Sequence, residues 1–235
     1  MGCQESKLIS ERTSEYQFSI EDQNFKSPGN IKIISKSCAE DFKRLELDKL
    51  SFFDLPSEIK EGLKIAPPIL SDPAENVPYV KAVKENSKND VIKYYGQLNS
   101  KKQKHGCGIY YMVRKQQLWI GKFTNDAPEN QIQIYFADKS TFKGETSRGE
   151  LVDGSIQFSD GSSYRGAFQN GYPHGKGTKT NPDGSYITGN FIEGEPKGLG
   201  VSYRKDGVRY VGDIGNSSYH SAHLRQFNLI SETSK

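Results

Sequence analysis

The chain has 235 residues, of which 34% are hydrophobic and 26% are charged, and its mean hydropathy is −0.73. So small a fraction of hydrophobic residues is unusual for a compact enzyme. It is typical of a disordered chain or of a thin sheet with a small core. The formal net charge is only +3, and no Lys/Arg stripe or reading-helix motif accompanies it, which argues against binding to nucleic acid.

The cysteines and the hydropathy pattern restrict the compartment. The three cysteines form no Cys-x-x-Cys motif and cannot all pair, which argues against a secreted disulfide framework. No stretch approaches the length of a membrane-spanning helix, and the N-terminus lacks the apolar core of a secretory signal. We therefore expect a cytoplasmic protein.

The sequence begins Met-Gly-Cys-Gln-Glu-Ser-Lys, which fits the N-myristoylation pattern Met-Gly-x-x-x-Ser/Thr. Gly2 would carry the myristoyl chain, and Cys3 would carry a palmitoyl chain. One myristoyl chain binds membranes weakly and reversibly, so stable anchoring would depend on Cys3, because residues 1–30 contain no basic patch. We expect residues 1–36 to form a flexible, acylated tether on the cytoplasmic leaflet; the alternative is that the short pattern occurs by chance.

Residues 37–93 are predicted to contain two short helices and a linker. Apolar residues at helical spacing predict a helix over residues 39–50, with Ser37 as its N-cap. A second helix is predicted over residues 56–64, because Pro56 is favoured at a helix start and Gly62 near a helix end. The proline-rich segment 66–78 is predicted to be an extended linker.

A sequence repeat covers residues 94–214. Its marker is the glycine of an aromatic-x-Gly motif, which recurs at intervals of 22 to 25 residues. A period this regular indicates one supersecondary unit per repeat. The clearest units are Tyr164–Gly184 and Gly189–Gly207, and the others are less regular.

In these units the pattern Tyr-x-Gly-x-Phe, followed by His-Gly-x-Gly and then Asp-Gly, resembles the MORN (membrane occupation and recognition nexus) repeat. The resemblance implies a mainly β fold, in which about five and a half tandem β-hairpins form an elongated single-layer antiparallel sheet. It also implies membrane proximity, dimerisation and scaffolding. The residues expected to build the repeat core are Tyr94, Gly96, Trp119, Gly121, Phe123, Phe142, Gly144, Tyr164, Gly166, Phe168, His174, Gly175, Gly177, Gly184, Tyr186, Gly189, Phe191, Gly198, Gly200, Gly207, Tyr210 and Gly212.

The pattern also has a physical explanation. Tyr164, Gly166 and Phe168 share one face of a strand, because side chains alternate between the two faces. Gly166 would leave room for an aromatic ring from a neighbouring strand. The recurring Asp-Gly pairs predict tight turns, because glycine accepts a positive φ, and Asp153-Gly154 predicts a looser turn.

Residues 215–235 are predicted to cap the last strand. The segment 221–230 (SAHLRQFNLI) places Leu224, Phe227 and Ile230 at helical intervals. A short amphipathic helix there would close an edge that could otherwise pair with another chain.

No residue is predicted to be catalytic or to bind a metal or a cofactor. The repeat explains His105 and His174, and His220 and His223 lack a third ligand. The glycine-rich segment Gly194–Gly200 lacks the Gly-Lys-Ser/Thr ending of a phosphate-binding loop.

Most of a group of six lysines are predicted to lie in hairpin loops that recur at one edge of the array. Such an edge would attract acidic lipid headgroups by about 1 kcal/mol per residue; the alternative is a solvated edge without a partner. These lysines are Lys101, Lys102, Lys104, Lys176, Lys179 and Lys197.

Together these features predict a non-enzymatic, membrane-associated scaffold or adaptor. Its sheet would bind protein partners or a second copy of the chain, and neither nucleic acid nor a small-molecule substrate is expected. The alternative is a structural subunit of a ciliary, axonemal or cytoskeletal complex, similar to a radial-spoke protein. An enzyme is disfavoured, because 93 residues before the array and about 21 after it are too few for a kinase or methyltransferase domain.

Overall fold

A computed structural model of the chain describes residues 32–37, 47–66, 68, 79–85, 91–147 and 150–215. These residues fall into two compact units, of which the first ends at Glu150 and the second begins at Leu151. Both units consist mainly of antiparallel β-hairpins, which confirms the predicted fold class. None of the helices in the described part of the chain is long and apolar enough to cross a membrane.

The first unit contains seven described strands, a 3-10 helix and an α-helix. Each strand pairs antiparallel with its neighbours in the chain. In chain order the elements are β1 (Lys32–Ser37), the 3-10 helix Leu47–Phe53, α1 (Ser57–Ile65), β2 (Tyr79–Glu85), β3 (Val91–Leu98), β4 (Lys104–Met112), β5 (Gln117–Thr124), β6 (Ala127–Phe136) and β7 (Thr141–Ser147).

The second unit continues the hairpin pattern without a described helix. Its strands also pair antiparallel in chain order. They are β8 (Glu150–Gln157), β9 (Ser163–Gln169), β10 (Tyr172–Thr180), β11 (Tyr186–Ile192), β12 (Glu195–Tyr203) and β13 (Arg209–Asp213).

Glycines of successive strands pair with one another in the second unit and form a row across the sheet. This glycine row consists of Gly154, Gly166, Gly177, Gly189, Gly200 and Gly212. The ring of Tyr164 lies over two of its members: an added Cβ would lie 2.7 Å from the Tyr164 oxygen at Gly166 and 2.5 Å from Tyr164 Cε2 at Gly177. No side chain fits at either position.

The Tyr164 ring, which covers Gly166 and Gly177, comes from β9, the same strand as Gly166. The Tyr164 hydroxyl donates a hydrogen bond to the carbonyl oxygen of Ala167, three residues further on, over 3.0 Å. Tyr94 makes the same bond to Gln97 over 2.8 Å in the first unit. The expectation that a neighbouring strand supplies this ring is therefore wrong, because the hydrogen bond folds the ring along its own strand.

The aromatic rings on the glycine-row face pack edge to face. The centroid of the Tyr164 ring lies 5.3 Å from that of Phe168 and 5.0 Å from that of Phe191. All three side chains are buried. Edge-to-face contacts add about 0.5–1.5 kcal/mol beyond the burial of area, so these rings act as the core of the second unit.

In the first unit Gly96 pairs with Gly108, and the face opposite to these glycines is covered by the helices of the unit. Side chains of the 3-10 helix and α1, among them Phe53 and Ile59, form one buried cluster with Cys107, Ile109 and Tyr111 of β4. The helices are also fixed by polar contacts, since the Tyr135 hydroxyl donates to the carbonyl oxygen of Ala66.

Of the two helices predicted within residues 37–93, one is confirmed and the other is described only in part. The second helix is present as α1, with Pro56 at the N-cap position. Of the helix predicted over residues 39–50, residues 47–50 lie in the 3-10 helix and 39–46 lie outside the described residues. Ser37 is the last residue of β1. The predicted capping helix at 221–230 lies outside the described residues.

Two strands lie outside the predicted repeat array. β1 falls almost entirely within residues 1–36, so the expectation of a flexible tether is wrong for residues 32–36, and β2 falls within the predicted helix-and-linker region. Neither strand carries the aromatic-x-Gly marker. β-branched residues, which favour strands, are their signal in the sequence.

The Asp-Gly pairs form turns wherever a strand has ended. Gly161 has a φ of +86°, and the backbone NH of Ser162 donates to Asp160 Oδ1 over 2.9 Å. The turn predicted at Asp153-Gly154 is wrong. Both residues lie inside β8, where Gly154 pairs with Gly166 and belongs to the glycine row.

Replacing Ile59 with alanine should lower the free energy of unfolding of the first unit by about 2–5 kcal/mol, because the side chain is buried and its removal leaves a cavity. Chemical denaturation followed by the fluorescence of Trp119, the single tryptophan, measures this change. Ile65→Ala is the control, since Ile65 in the same helix is 73% exposed whereas Ile59 is 0% exposed. We expect the control to change stability by no more than about 0.5 kcal/mol; equal losses for both variants would contradict this description.

Candidate functional site

The face of the second unit opposite the glycine row carries five apolar side chains, of which two are exposed and three are half-buried. On β12, Leu199, Val201 and Tyr203 alternate onto this face, and Val201 pairs with Val211 of β13. Leu199 is 82% exposed and Val211 is 59% exposed. On β11, the ring of Tyr186 stacks on that of Tyr203 with centroids 4.5 Å apart. We call these five residues the exposed strip.

The equivalent residues of the first unit are buried. Gly108 of β4 and Gly200 of β12 occupy the same repeat position, since each pairs with a glycine on both neighbouring strands. Leu199, Val201 and Tyr203 therefore correspond to Cys107, Ile109 and Tyr111. Those three are covered by the 3-10 helix and α1.

In the second unit, no helix among the described residues 150–215 covers the exposed strip. A solvent-exposed apolar patch with a polar border is typical of an interaction surface.

Cationic side chains border the exposed strip. The guanidinium carbon of Arg209 lies 5.7 Å from the centroid of the Tyr203 ring. Lys176 of β10 and Lys197 of β12 are exposed, and each pairs with Asn190 of β11. The two lysines therefore lie on the same face of the sheet, one on either side of Asn190. Asp213, which pairs with Leu199, adds one exposed carboxylate on the same face. The arrangement suits a ligand that has an apolar face and acidic groups beside Arg209 and the two lysines.

The remaining lysines of the predicted basic edge lie in different environments. Lys101 and Lys102 are exposed near the β3–β4 turn. Lys104 is buried, and its Nζ lies 3.4 Å from Asp126 Oδ1 and 4.6 Å from the centroid of the Tyr110 ring. The predicted lipid contact is therefore wrong for Lys104, because its charge is enclosed and paired within the protein.

The prediction that most of these lysines lie in loops is wrong, because four of the six lie within strands: Lys104, Lys176, Lys179 and Lys197. Lys179 of β10 is on the same face as the glycine row. It pairs with Tyr164 on one side and Ile187 on the other. Burial lowers the pKa of the Lys179 ammonium below its ordinary value, while Glu195 and Asp160 partly offset the decrease. A half-buried side chain on this face is a poor candidate for contact with lipid headgroups.

The aromatic residues that sequence reasoning assigned to the repeat core lie on two different faces. Tyr186 lies on the face of β11 that is opposite to the face of Phe191, so the assignment of Tyr186 to the core is wrong. Ile187 takes the place of the aromatic residue, since it shares a face with Gly189 and Phe191. Trp119 is half-buried, with its ring 6.4 Å from that of Tyr110.

The histidines that could suggest chemistry are not collected into a site in the described part of the chain. His105 is exposed and His174 is half-buried, and they belong to different units. The described residues contain no cluster of three metal-ligating side chains. His220 and His223 lie outside those residues. The segment Gly194–Gly200 runs from a turn into β12, so it has no following helix to form a phosphate site.

The family model of the MORN repeat matches residues 164–186 and 188–209. These two segments are MORN repeats. They supply the strands β9 to β12, and four of the five residues of the exposed strip lie within them. No curated protein matches the chain. MORN repeats are generally modules that bind proteins or membranes, and this places the exposed strip on the part of the chain whose family is known for binding.

Sequence reasoning missed the exposed strip, although a signal was present. In the MORN repeat 164–186, the residues at the strip positions of its return strand are Lys176, Thr178 and Thr180, which are polar. In the repeat 188–209 the same positions hold Leu199, Val201 and Tyr203. An apolar residue at three alternating positions beside a glycine row can be recognised only when the face that each strand position occupies is known.

Amine acetylation of the folded chain should modify Lys101 and Lys102 several times faster than Lys104, because only the last is buried against Asp126 and Tyr110. Peptide mass spectrometry after short exposure to the reagent measures the three rates. The same reaction in denaturant is the control, since unfolding should make the rates equal. An equal rate for Lys104 in the folded chain would show that its ammonium is free.

Proposed function

We propose that the chain is a non-enzymatic scaffold, held at a membrane by acyl chains on Gly2 and Cys3, which binds an amphipathic protein segment along the exposed strip. The observation that carries the proposal is the exposure of Leu199 and Val211 at a face whose equivalent in the first unit is buried under helices. The display of a binding surface agrees with the general binding role of MORN repeats.

The chemistry of the strip favours a helical partner segment with acidic flanks. In the first unit, the corresponding face accepts α1, whose buried residues Ile59 and Leu63 lie four apart and share one side of the helix. Leu199, Val201 and Val211 offer a similar apolar surface. Arg209 and Lys197 at its border would attract acidic side chains and would orient the segment.

The membrane half of the proposal rests on the sequence, since residues 1–31 lie outside the described residues. Two acyl chains would be needed, because one myristoyl chain gives only marginal binding. Lys101 and Lys102, which are exposed, could add weak attraction to acidic lipid. The sheet would then display the strip to a partner near the membrane surface.

Replacing Val211 with aspartate should release the chain from its native complex without unfolding it, because a charge is placed in the exposed strip and in no core. Gel filtration of extracts from the source cells, with detection of the chain, measures the size of the complex. Val152→Asp is the matched control, since Val152 of β8 is also an exposed strand valine of the second unit, outside the strip. We expect the Val211 variant to elute as a monomer and the control to elute with the complex. Elution of the Val211 variant with the complex would refute the proposed surface.

Replacing Gly2 with alanine should move the chain from the membrane fraction to the soluble fraction, because alanine cannot be myristoylated. Cys3→Ser should weaken membrane binding less completely, since one chain would remain. Membrane flotation measures both, and detergent should release the wild-type chain. A Gly2 variant that floats like wild type would exclude the lipid anchor. A wild-type chain that stays in the detergent-insoluble pellet would also contradict the anchor and would favour a cytoskeletal or ciliary subunit.

A further inference from the structure

The chain continues for 20 residues beyond Gly215, the last residue that the structure describes. Within them, the segment 221–230 places Leu224, Phe227 and Ile230 at intervals of three residues. Three-residue spacing gathers apolar side chains on one side of a helix. The apolar side of such a helix would be stabilised by packing against an apolar surface, and the exposed strip is an apolar surface in the same unit.

We infer that residues 221–230 bind as an amphipathic helix to the exposed strip of the same chain and occupy it until a partner segment displaces them. This inference rests on the proposed function, in which the strip is the partner-binding surface. It differs from closure of the last strand edge, because the helix would lie on the face of β11 to β13 and not beside β13.

The end of the described chain is held close to the strip. The backbone NH of Ile214 donates to the carbonyl oxygen of Gly198 over 2.8 Å. Asp213 pairs directly with Leu199, the most exposed residue of the strip. The five residues 216–220 can span up to about 17 Å when extended. The segment therefore reaches the strip without any change in β12 or β13.

The segment also has a suitable length. A helix of ten residues is about 15 Å long, and the outer two of three neighbouring strands lie about 10 Å apart. One such helix can therefore cross β11, β12 and β13. In the first unit α1, with nine residues, belongs to the buried cluster that covers Ile109 and Tyr111. The chain thus already uses a short helix to cover the equivalent repeat positions.

The attachment of the segment, and not its charge, favours it over other occupants, because residues 221–230 contain Arg225 and no acidic residue. A segment joined by a short linker acts at a millimolar effective concentration, which an unlinked partner would have to exceed in binding strength. The N-terminal residues 1–31 are much further away along the sequence. A second copy of the chain could insert its own 221–230 segment, and this would produce a dimer.

The inference can be tested by carbene footprinting of the full chain. The double variant Leu224→Asp with Phe227→Asp places two charges on the apolar side of the predicted helix. We expect labelling of Leu199, Val201 and Val211 to rise several-fold in this variant, and also in a chain that ends at Gly215. The control is Ala222→Asp with Arg225→Asn, which changes the net charge by the same amount on a different side of the helix and should leave the labelling low.

Equal labelling in the wild type and the Leu224/Phe227 variant would overturn the inference. Low labelling that appears only at high protein concentration, together with a dimer mass, would also overturn it in favour of exchange between two copies. The proposed function fails separately. If the Val211→Asp chain stays in the native complex while the Leu224/Phe227 variant still uncovers the strip, the function is refuted and the covering segment stands. If Val211→Asp releases the chain while labelling is equal, the reverse holds.

Discussion

The structure depends on the contact between a tyrosine ring and the backbone of two paired glycines. The ring of Tyr164 lies so close to Gly166 and Gly177 that neither position can hold a side chain. Because these two glycines pair across strands, the contact fixes the register of the hairpin, and a slip by one residue would bring side chains under the ring and reverse the two faces. The near-constant spacing of the glycines along the sequence follows from the need to keep this row in register from strand to strand.

The glycine row also determines which surface is left for binding. On its face, Tyr164, Phe168 and Phe191 pack against one another and are buried, so they have little area to offer a ligand. The opposite face is free to differ between repeats, because no contact with the row constrains it. In the first unit it carries apolar residues under two short helices, and in the second it carries the exposed strip on the MORN repeats. A scaffold function is consistent with this division, since structure uses one face and binding can use the other.

Features that depend on residues close together in the chain were predicted correctly from the sequence. The hairpin period, the Asp160-Gly161 type of turn and helix α1 all follow from local patterns. Features that depend on pairing between strands were missed or misplaced. Tyr186 was placed in the core because it is aromatic, although its position puts it on the other face, and Lys104 was expected at a surface although Asp126, 22 residues away, encloses its charge. Neither register nor an ion pair with a distant residue can be read from one repeat alone.

The central claim is that the Tyr164 ring requires glycine at position 177, because a side chain there would clash with the ring. A double-mutant cycle on Tyr164 and Gly177 tests it most directly. Hydrogen exchange of the amides of β9 and β10 measures the free energy of opening for Gly177→Ala, Tyr164→Ala and the double variant. Gly177→Ala should cost about 1–3 kcal/mol, because a methyl group is forced against the ring. In the double variant the added cost of the alanine should largely disappear, since the ring is gone, and this gives a coupling of about 0.5–3 kcal/mol. Additive losses would contradict the claim and would show that the glycine is required for another reason.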